Sequence, residues 1–320
     1  MRLSIFLDPQ EGMTFKTILE AAIATEQGGF HGLYRSDHLA STSGHFERAA
    51  TEAWTTIAAV AMQTSRIRLG TLITPLTFRE PSVLSKMVST IAEISGHRVD
   101  LSIGTGWNTG EHEALGLAFE PMGTRFDRLE EYVRILSGFW GDEPLTFDGR
   151  YYRASGILPR PLPSPRPPII IGGHGKRKTP ALAARYADEY NIDWPSVEQC
   201  REFFRIIDES CDQIGRDPAT IRRSVLLGVI VGEDRADVRR ILGPAVRELG
   251  GTDPDEWLAA HRASWRAGTP DDIVEWLRGY EDAGTDHAML MCAPSTEFRM
   301  IDTIARAVRP RIDPELVADV

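Results

Sequence analysis

The hydrophobic residues of this chain follow two alternating spacings from one end to the other. Short continuous apolar runs indicate buried strands, and apolar residues that recur every three or four positions indicate helices with one buried face. In the first unit, the run Leu3–Leu7 precedes Phe15, Ile18 and Ala22 at helical spacing, and Gly28 ends the helix. The candidate strands are Leu3–Leu7, Gly32–Tyr34, Ile67–Thr71, Val99–Ile103, Ile169–Ile171, Tyr190–Ile192, Val225–Val231 and Ala288–Met291.

This alternation of strands and helices predicts parallel strands that are joined by right-handed crossovers. Repeated over the whole chain, it favours a closed α/β fold, the (β/α)8 TIM barrel, in a single domain spanning residues 1–320. An open doubly wound sheet is the alternative. That alternative is weakened because no G-x-G-x-x-G motif opens the helix after the first strand.

Two segments interrupt the alternation and predict insertions after strands 4 and 7. The first, residues 142–168, carries Asp148-Gly149 between Thr146-Phe147 and Tyr151-Tyr152, which is a hairpin signal, and a proline-rich stretch follows it. The second insertion covers residues 250–269. It ends at Thr269-Pro270, where a threonine cap and a proline indicate a new helix.

Composition and charge exclude several classes of function. The 320 residues include 36 Lys and Arg and 46 Asp and Glu, which gives a net charge of −10. Nucleic-acid and anionic-membrane binders need a dense basic surface, so neither partner is expected. Three scattered cysteines provide no disulfide framework and fit a reducing cytosol. The short apolar run at the N-terminus predicts no signal peptide, so we expect a cytoplasmic protein.

The chemistry of a barrel sits in the loops after its strands, and the loop after strand 5 is rich in glycine. This loop consists of Gly172, Gly173, His174 and Gly175, and Lys176–Lys178 follow directly. Because glycine has no Cβ, the backbone amides at the start of the next helix are accessible to a ligand. This pattern favours a phosphate site. The alternative is a glycine-rich turn that precedes a solvated basic helix start.

Two further loops carry candidate chemistry. After strand 2, Asp37-His38 is an acid–histidine pair suited to proton transfer, although such a pair can also stabilise a turn. After strand 4, Trp107 offers a flat apolar wall and Asn108 an amide beside a heterocyclic ring. Trp107 could equally close the barrel rim as a structural residue.

No metal site is expected. His31, His38 and His45 are seven residues apart and no H-E-x-x-H motif occurs. We interpret Glu111-His112-Glu113 as a solvated helix start rather than a ligand set.

Several segments of the chain resemble segments of the bacterial luciferase-like flavin-dependent oxidoreductases and occur in the same order. Within that family, the chain resembles most closely the group that uses coenzyme F420, a deazaflavin. The resemblance covers nearly the whole chain. The matching segments are Tyr34–Leu39, Glu52–Thr56, Ser65–Thr71, Ile103–Asn108, Arg125–Glu131, Gly149–Tyr152, Ile169–Gly175 and Ala184–Asp188.

The resemblance implies a hydride-transferring oxidoreductase that acts with F420 on a small organic substrate. It implies His38 and Asp37 as catalytic residues, a cis peptide at Leu72–Ile73 and the cofactor phosphate on the strand 5 loop. The cofactor contacts expected on this basis are Asp37, Leu72, Ile73, Thr74, Thr105, Gly106, Trp107, Asn108, Gly172, Gly173, His174, Gly175 and Lys176. A homodimer through Thr51–Gln63 and Pro81–Ser95 is also implied.

The chain departs from the F420-dependent sugar-phosphate dehydrogenases at one position. Those enzymes carry an acidic residue directly after the Gly-Thr-Gly of strand 4, where this chain has Trp107. Sugar-phosphate oxidation is therefore not expected, and Trp107, Trp194 and Phe78 favour a more apolar substrate. The alternatives are an FMN-dependent monooxygenase of the same superfamily, a metal-dependent barrel hydrolase and a barrel that binds flavin without catalysis.

Overall fold

Eight parallel strands form the centre of the computed structural model, which describes residues 1–293 and 297–314. Strand 8 pairs with strand 1, so the sheet closes and the predicted (β/α)8 barrel is confirmed. The open doubly wound alternative is wrong because an open sheet has two edge strands, whereas each of these eight strands pairs with a neighbour on both sides. Strands 1 to 8 are Arg2–Leu7, Gly32–Arg35, Arg68–Thr71, Val99–Gly104, Ile169–Gly172, Glu189–Asp193, Arg222–Val231 and His287–Cys292.

The helices follow from the apolar stripes and from their caps. The helix after strand 6 begins at Ser196, whose hydroxyl accepts the amide of Gln199 while the Gln199 side chain accepts the amide of Ser196. The helices of the described residues are Phe15–Gln27, Ala53–Ala61, Pro81–Ser95, Thr109–Leu115, Met122–Phe139, Lys178–Tyr186, Val197–Asp212, Arg235–Glu248, Pro254–His261, Pro270–Asp282, Glu297–Ala307 and Arg309–Ile312. None of them has the length and apolarity needed to cross a bilayer.

The insertion after strand 4 contains the expected hairpin with a longer turn. Its strands are Leu145–Asp148 and Arg153–Ile157, so Tyr151 and Tyr152 belong to the turn and not to the second strand. The reason is a distant carboxylate: Glu131 accepts the backbone amides of residues 150, 151 and 152 at 2.9 to 3.2 Å.

The insertion after strand 7 is joined to the barrel wall. It contains the helix Pro254–His261 and the short strand Trp265–Gly268, which pairs in parallel with the end of strand 7. Gly228 of strand 7 lies under the Trp265 ring, and a Cβ atom at Gly228 would sit 2.0 Å from that ring. The glycine therefore makes the close packing of the insertion possible.

A buried polar network fills the barrel at the opposite end, where the strands begin. His287 contacts Ser4 through Nε2 at 2.8 Å and Glu189 through Nδ1 at 3.1 Å, and Arg222 pairs with Glu189 at 2.9 Å. Burial alone would raise the pKa of Glu189, but His287 and Arg222 lower it to about 2. Ser4, Glu189 and His287 are at most 1% exposed. Because no substrate reaches them, they stabilise the barrel.

We predict that Gly228→Ala destabilises the protein by about 1–3 kcal/mol, because the added methyl group overpacks the contact with Trp265. Urea unfolding followed by circular dichroism measures the change. Gly279→Ala is the matched control, since its added Cβ would meet the nearest atom, Cγ2 of Val197, at an ordinary 3.6 Å inside a helix. The control should be neutral or gain about 0.5–1 kcal/mol. Equal stability of the two variants would contradict the packing argument.

Candidate active site at the mouth of the barrel

A cavity of about 390 Å³ opens at the carboxyl ends of the strands. Its position is the one at which TIM barrels place their chemistry. Gly175 and Lys176 do not line it. The expected residues that do line it are Asp37, His38, Leu72, Ile73, Thr74, Thr105, Gly106, Trp107, Asn108, Gly172, Gly173 and His174.

Asp37 is tied into the protein through its carboxylate. The two oxygens accept hydrogen bonds from Arg79 at 2.7 and 3.0 Å, and one also accepts the Thr74 hydroxyl at 2.8 Å. Arg79 pairs in addition with Glu52. Both carboxylate oxygens are thus engaged, and their hydrogen bonds join the loops after strands 2 and 3.

His38 is held by a buried carboxylate from another loop. Nδ1 of His38 lies 2.7 Å from Oε2 of Glu111, and the other oxygen of Glu111 accepts the amides of Leu39 and Ala40 at 2.6 and 3.1 Å. Because an ionised carboxylate only accepts hydrogen bonds, Nδ1 of His38 carries the proton. Within the described part of the chain, Nε2 of His38 has no partner, and the side chain lines the cavity.

The interpretation of residues 111–113 as a solvated helix start was wrong for two of the three. Glu111 and His112 are each 1% exposed and both line the cavity, whereas Glu113 is exposed. The cause is the cap of this short helix: Oδ1 of Asn108 accepts the Glu111 amide at 3.1 Å and turns Glu111 inward. The spacing Asn108-x-x-Glu111 is the signal that could have indicated this arrangement.

His112 has a supporting position. Its Nδ1 lies 2.7 Å from the carbonyl oxygen of Asn108, and its Nε2 lies 2.7 Å from the hydroxyl of Thr77. The ring lies between Phe78 and Phe119, with centroid distances of 5.1 and 4.3 Å. With both nitrogens engaged, His112 holds the loop after strand 4 and offers the cavity no free proton acceptor.

Trp107 and Asn108 differ in what they present to the cavity. Trp107 is 66% exposed and meets the His38 ring edge-on at 5.5 Å. Its surface is therefore available for contact with a bound molecule next to His38. Asn108, in contrast, uses its side-chain oxygen to cap the helix. Of the two amide groups expected to contact a ring, only the side-chain nitrogen of Asn108 is therefore left for that contact.

The floor of the cavity includes the expected cis peptide bond Leu72–Ile73, which the structure confirms. Ile73 lies against two glycines at the ends of neighbouring strands. A Cβ at Gly172 would come within 2.5 Å of Cδ1 of Ile73, and one at Gly104 within 3.2 Å of its Cγ2. The absence of side chains at these glycines therefore gives Ile73 its place in the floor.

The glycine loop after strand 5 presents amides that lack partners. The Gly173 amide donates to the Asn191 carbonyl at 3.2 Å, so it belongs to the sheet. The next amides, those of His174, Gly175 and Lys176, donate to no acceptor in the described ranges, and the helix Lys178–Tyr186 begins just after them. Amides grouped at a helix start form a site for an anion.

The two lysines behind this loop are paired with acidic residues on the surface and do not line the cavity. Lys176 pairs with Glu202 at 2.6 Å and Lys178 with Asp127 at 3.1 Å, all on the surface. The basic side chain of this loop that lines the cavity is His174, whose Nε2 lies 2.8 Å from Oδ1 of Asp193. The hydrogen bond to Asp193 raises the pKa of His174 above its usual value.

The cavity wall also contains polar residues that the sequence analysis did not place in the site, among them Asn191 and Asp8. Asn191 is buried; its Nδ2 donates to Ser224 at 2.9 Å, whereas its Oδ1 has no partner in the described part of the chain. Asp8 follows strand 1, and burial raises its pKa. Asp8 follows a strand directly, which is a sequence signal for this end of the barrel, whereas Asn191 lies in the middle of strand 6 and carries no such signal. In the ranges 1–293 and 297–314, no three histidine, cysteine or acidic side chains group as metal ligands.

Comparison with known proteins identifies relatives of this barrel. The family model described as luciferase-like monooxygenase matches residues 1–287. An F420-dependent glucose-6-phosphate dehydrogenase of Microbacterium testaceum is 32% identical, over 92% of this chain and 93% of the relative. An FMNH(2)-dependent dimethylsulfone monooxygenase of Pseudomonas fluorescens is 28% identical, over 80% and 71%.

A solved structure shares the fold over the same length. The structure of an F420-dependent secondary alcohol dehydrogenase in complex with an F420-acetone adduct superposes with a TM-score of 0.81. It covers 98% of this chain and 99% of its own, at 20% identity, which is a likeness of fold.

We predict that Glu111 fixes the tautomer of His38. In the wild-type protein, ¹⁵N NMR of labelled histidine should show the proton of neutral His38 on Nδ1, because Glu111 accepts it. Glu111→Gln should shift the population toward the Nε2–H form, since an amide can also donate to Nδ1. Glu113→Gln removes an exposed carboxylate two residues away and should leave the spectrum unchanged. An unchanged His38 signal in Glu111→Gln would contradict the pairing.

Proposed function

The chain belongs to the family of luciferase-like monooxygenases, and on that premise we propose that it is an oxidoreductase that uses coenzyme F420 to move a hydride to or from a small organic substrate. The observation that carries the proposal is the pair His38–Glu111. The buried carboxylate of Glu111 holds Nδ1 of His38, and Nε2 of the same ring is left for a molecule in the cavity. Relatives that use F420 and align over more than nine-tenths of the chain support the choice of cofactor.

The residues at the cavity fit the cofactor at its acidic end. The amides of His174, Gly175 and Lys176 would hold a phosphate, with His174 supplying positive charge. The glycine at residue 173 has φ of +133°, so a side chain there would be strained and would narrow the loop. Lys176 therefore contributes its backbone, and its side chain stays on the surface with Glu202.

The ring would lie on the floor formed by Leu72, Ile73 and Thr74, with Trp107 near its edge. The buried Oδ1 of Asn191, which has no partner in the described structure, is available to accept a hydrogen bond from such a ring. When bound, F420 supplies the hydride chemistry, accepting a hydride from or giving one to a substrate carbon.

The chain's own contribution to the reaction is a positioned proton acceptor. In the direction of alcohol oxidation, Nε2 of His38 takes the hydroxyl proton of the substrate, and Glu111 stabilises the imidazolium that results. In the direction of carbonyl reduction, Nε2 returns that proton to the oxygen. Glu111 is a positioning residue, because its oxygens contact His38 and the amides of Leu39 and Ala40.

An FMN-dependent monooxygenase is the second candidate. The relative from Pseudomonas fluorescens favours it, and the single phosphate of FMN would fit the same amides. The surface lysines do not separate the two cofactors, since Lys176 and Lys178 are both paired with acidic residues.

We also infer a cytoplasmic homodimer. The helices Ala53–Ala61 and Pro81–Ser95 with their ends expose Met62, Val83 and Ile94 at 67%, 53% and 41%, which provides an apolar surface for a second copy. The buried thiols of Cys200 and Cys211 form no disulfide, in keeping with a reducing compartment.

We predict that the purified protein binds F420 more tightly than FMN and that His38→Ala lowers the turnover of the F420-loaded enzyme by about 10²–10⁴-fold. Absorbance titration measures binding, and the loss or gain of the deazaflavin absorbance with a panel of alcohols and carbonyl compounds measures turnover.

His45→Ala is the matched control, because His45 is half-exposed on the loop that follows and does not line the cavity. Both variants should retain cofactor affinity. Full turnover by His38→Ala would rule out its role, and binding of FMN with no binding of F420 would replace the proposal with the monooxygenase.

Cofactor affinity should fall as pH rises. The pKa of His174 is raised, so its positive charge persists above the usual range and is lost as pH increases through that pKa. Between pH 6.5 and pH 9, the Kd for the cofactor should increase about three- to fivefold more in the wild-type protein than in His174→Asn. Because the titration of the cofactor itself is common to both proteins, it cancels in this comparison. Parallel pH profiles would contradict a contact between His174 and the phosphate.

A further inference from the structure

We propose that the substrate of this enzyme is an uncharged, largely apolar molecule, and that Trp194 and Trp107 form the surface that selects it. The proposal rests on the proposed function, since it assigns the cofactor phosphate to the strand 5 loop. It also separates this chain from its relatives named for glucose 6-phosphate.

The described wall of the cavity offers no permanently cationic side chain to a second anion. Among the described residues that line it, none is lysine or arginine. The acidic residues on its described wall are Asp8, Asp37, Glu111 and Asp193, and the basic ones are the histidines His38, His112 and His174. A phosphate monoester carries about −1.5 to −2 charges at neutral pH and would face these carboxylates without a lysine or arginine on the described wall.

The nearby arginines are fully engaged in holding loops. Arg79 pairs with Asp37 and Glu52 and is 9% exposed. Arg125 donates to the carbonyls of Thr105, Gly106 and Glu120 and lies 3.7 Å from the centroid of the Phe119 ring. Neither can turn toward a ligand without breaking these bonds, so these two arginines do not provide the cavity with a cation.

The histidines of the cavity are also committed. His38 is the proposed proton acceptor, His112 has both nitrogens engaged, and His174 stands with Asp193 beside the amides of the strand 5 loop. These amides form one anion site, which the cofactor phosphate fills under the proposed function. A substrate phosphate would then have no basic partner left among the described residues of the wall.

Trp194 is a fixed apolar wall. It follows strand 6 with φ of +53°, in the left-handed region that a bulky residue rarely adopts, and its amide donates to Leu226 at 3.0 Å. Its ring stacks on Trp265 at 5.6 Å with an interplanar angle of 10°, and Trp257 packs against the far ring at 5.2 Å. The insertion after strand 7 thus holds Trp194 in place.

The remaining apolar surface of the cavity is uncovered. Trp107 and Met122 both line it, yet they are 66% and 49% exposed. Large apolar side chains that face a cavity lose this contact with water when an apolar ligand covers them. Since Trp107 lies beside His38, an apolar substrate bound here would place its reacting group near Nε2.

The test compares two six-membered rings, cyclohexanone and glucose 6-phosphate, by isothermal titration of the protein with and without F420. The cofactor is added in its oxidised form, which has no hydride to give to the carbonyl carbon of cyclohexanone, so the binding of this ketone is measured without turnover. We expect cyclohexanone to bind at least tenfold more tightly than glucose 6-phosphate.

Trp194→Asn should weaken cyclohexanone binding about tenfold, because an apolar wall is lost, while asparagine tolerates the left-handed backbone. Its Kd for F420 should stay within about twofold of the wild-type value, which shows that the variant is folded. Trp276→Asn makes the same change outside the cavity and should leave both affinities unchanged.

Tighter binding of glucose 6-phosphate than of cyclohexanone, or binding of neither, overturns the substrate class. Equal effects of Trp194→Asn and Trp276→Asn overturn the role of Trp194. If F420 fails to bind while cyclohexanone binds the unloaded protein and Trp194→Asn weakens it, the proposed cofactor is wrong and the apolar site stands.

Discussion

The buried carboxylate of Glu111 is the constraint on which the site depends. A carboxylate that is out of contact with water must have its oxygens paired, and here the pairing brings His38 and the amides of Leu39 and Ala40 together. One side chain from the loop after strand 4 thereby fixes the loop after strand 2. The imidazole keeps a single orientation, and its free nitrogen faces the cavity.

The cavity around His38 and Glu111 has a polar side and an apolar side. On one side, the strand 5 loop offers backbone amides and a histidine whose pKa is raised by Asp193, which suits an anion. On the other, Trp107, Met122 and Trp194 offer apolar surface without a cation. The insertion after strand 7 contributes through Trp265, which supports Trp194 from behind. An insertion that never lines the cavity can in this way shape what the cavity accepts.

The barrel could be predicted from the sequence because the local spacing of apolar residues indicates each strand and each helix. Most of the expected cavity residues could also be found, since they follow directly after strands. What could not be predicted depends on partners far along the chain: Glu111 meets a histidine 73 positions earlier, and the amide of Gly173 is bound by Asn191. Lys176 and Lys178 were misleading for the same reason, because their acidic partners Glu202 and Asp127 draw them to the surface.

The two ends of the barrel show why composition alone does not define a catalytic site. Ser4, His287 and Glu189 have the residue types of a hydrolytic triad and the matching hydrogen bonds, yet they are sealed at the start of the strands. Their ion pair with Arg222 stabilises the closed sheet, and no ring nitrogen of His287 is left for a substrate. His38 has a carboxylate partner of the same kind, but its second nitrogen faces open space. Access of one free nitrogen, rather than the presence of an acid–histidine pair, therefore separates the reactive end of this barrel from its structural end.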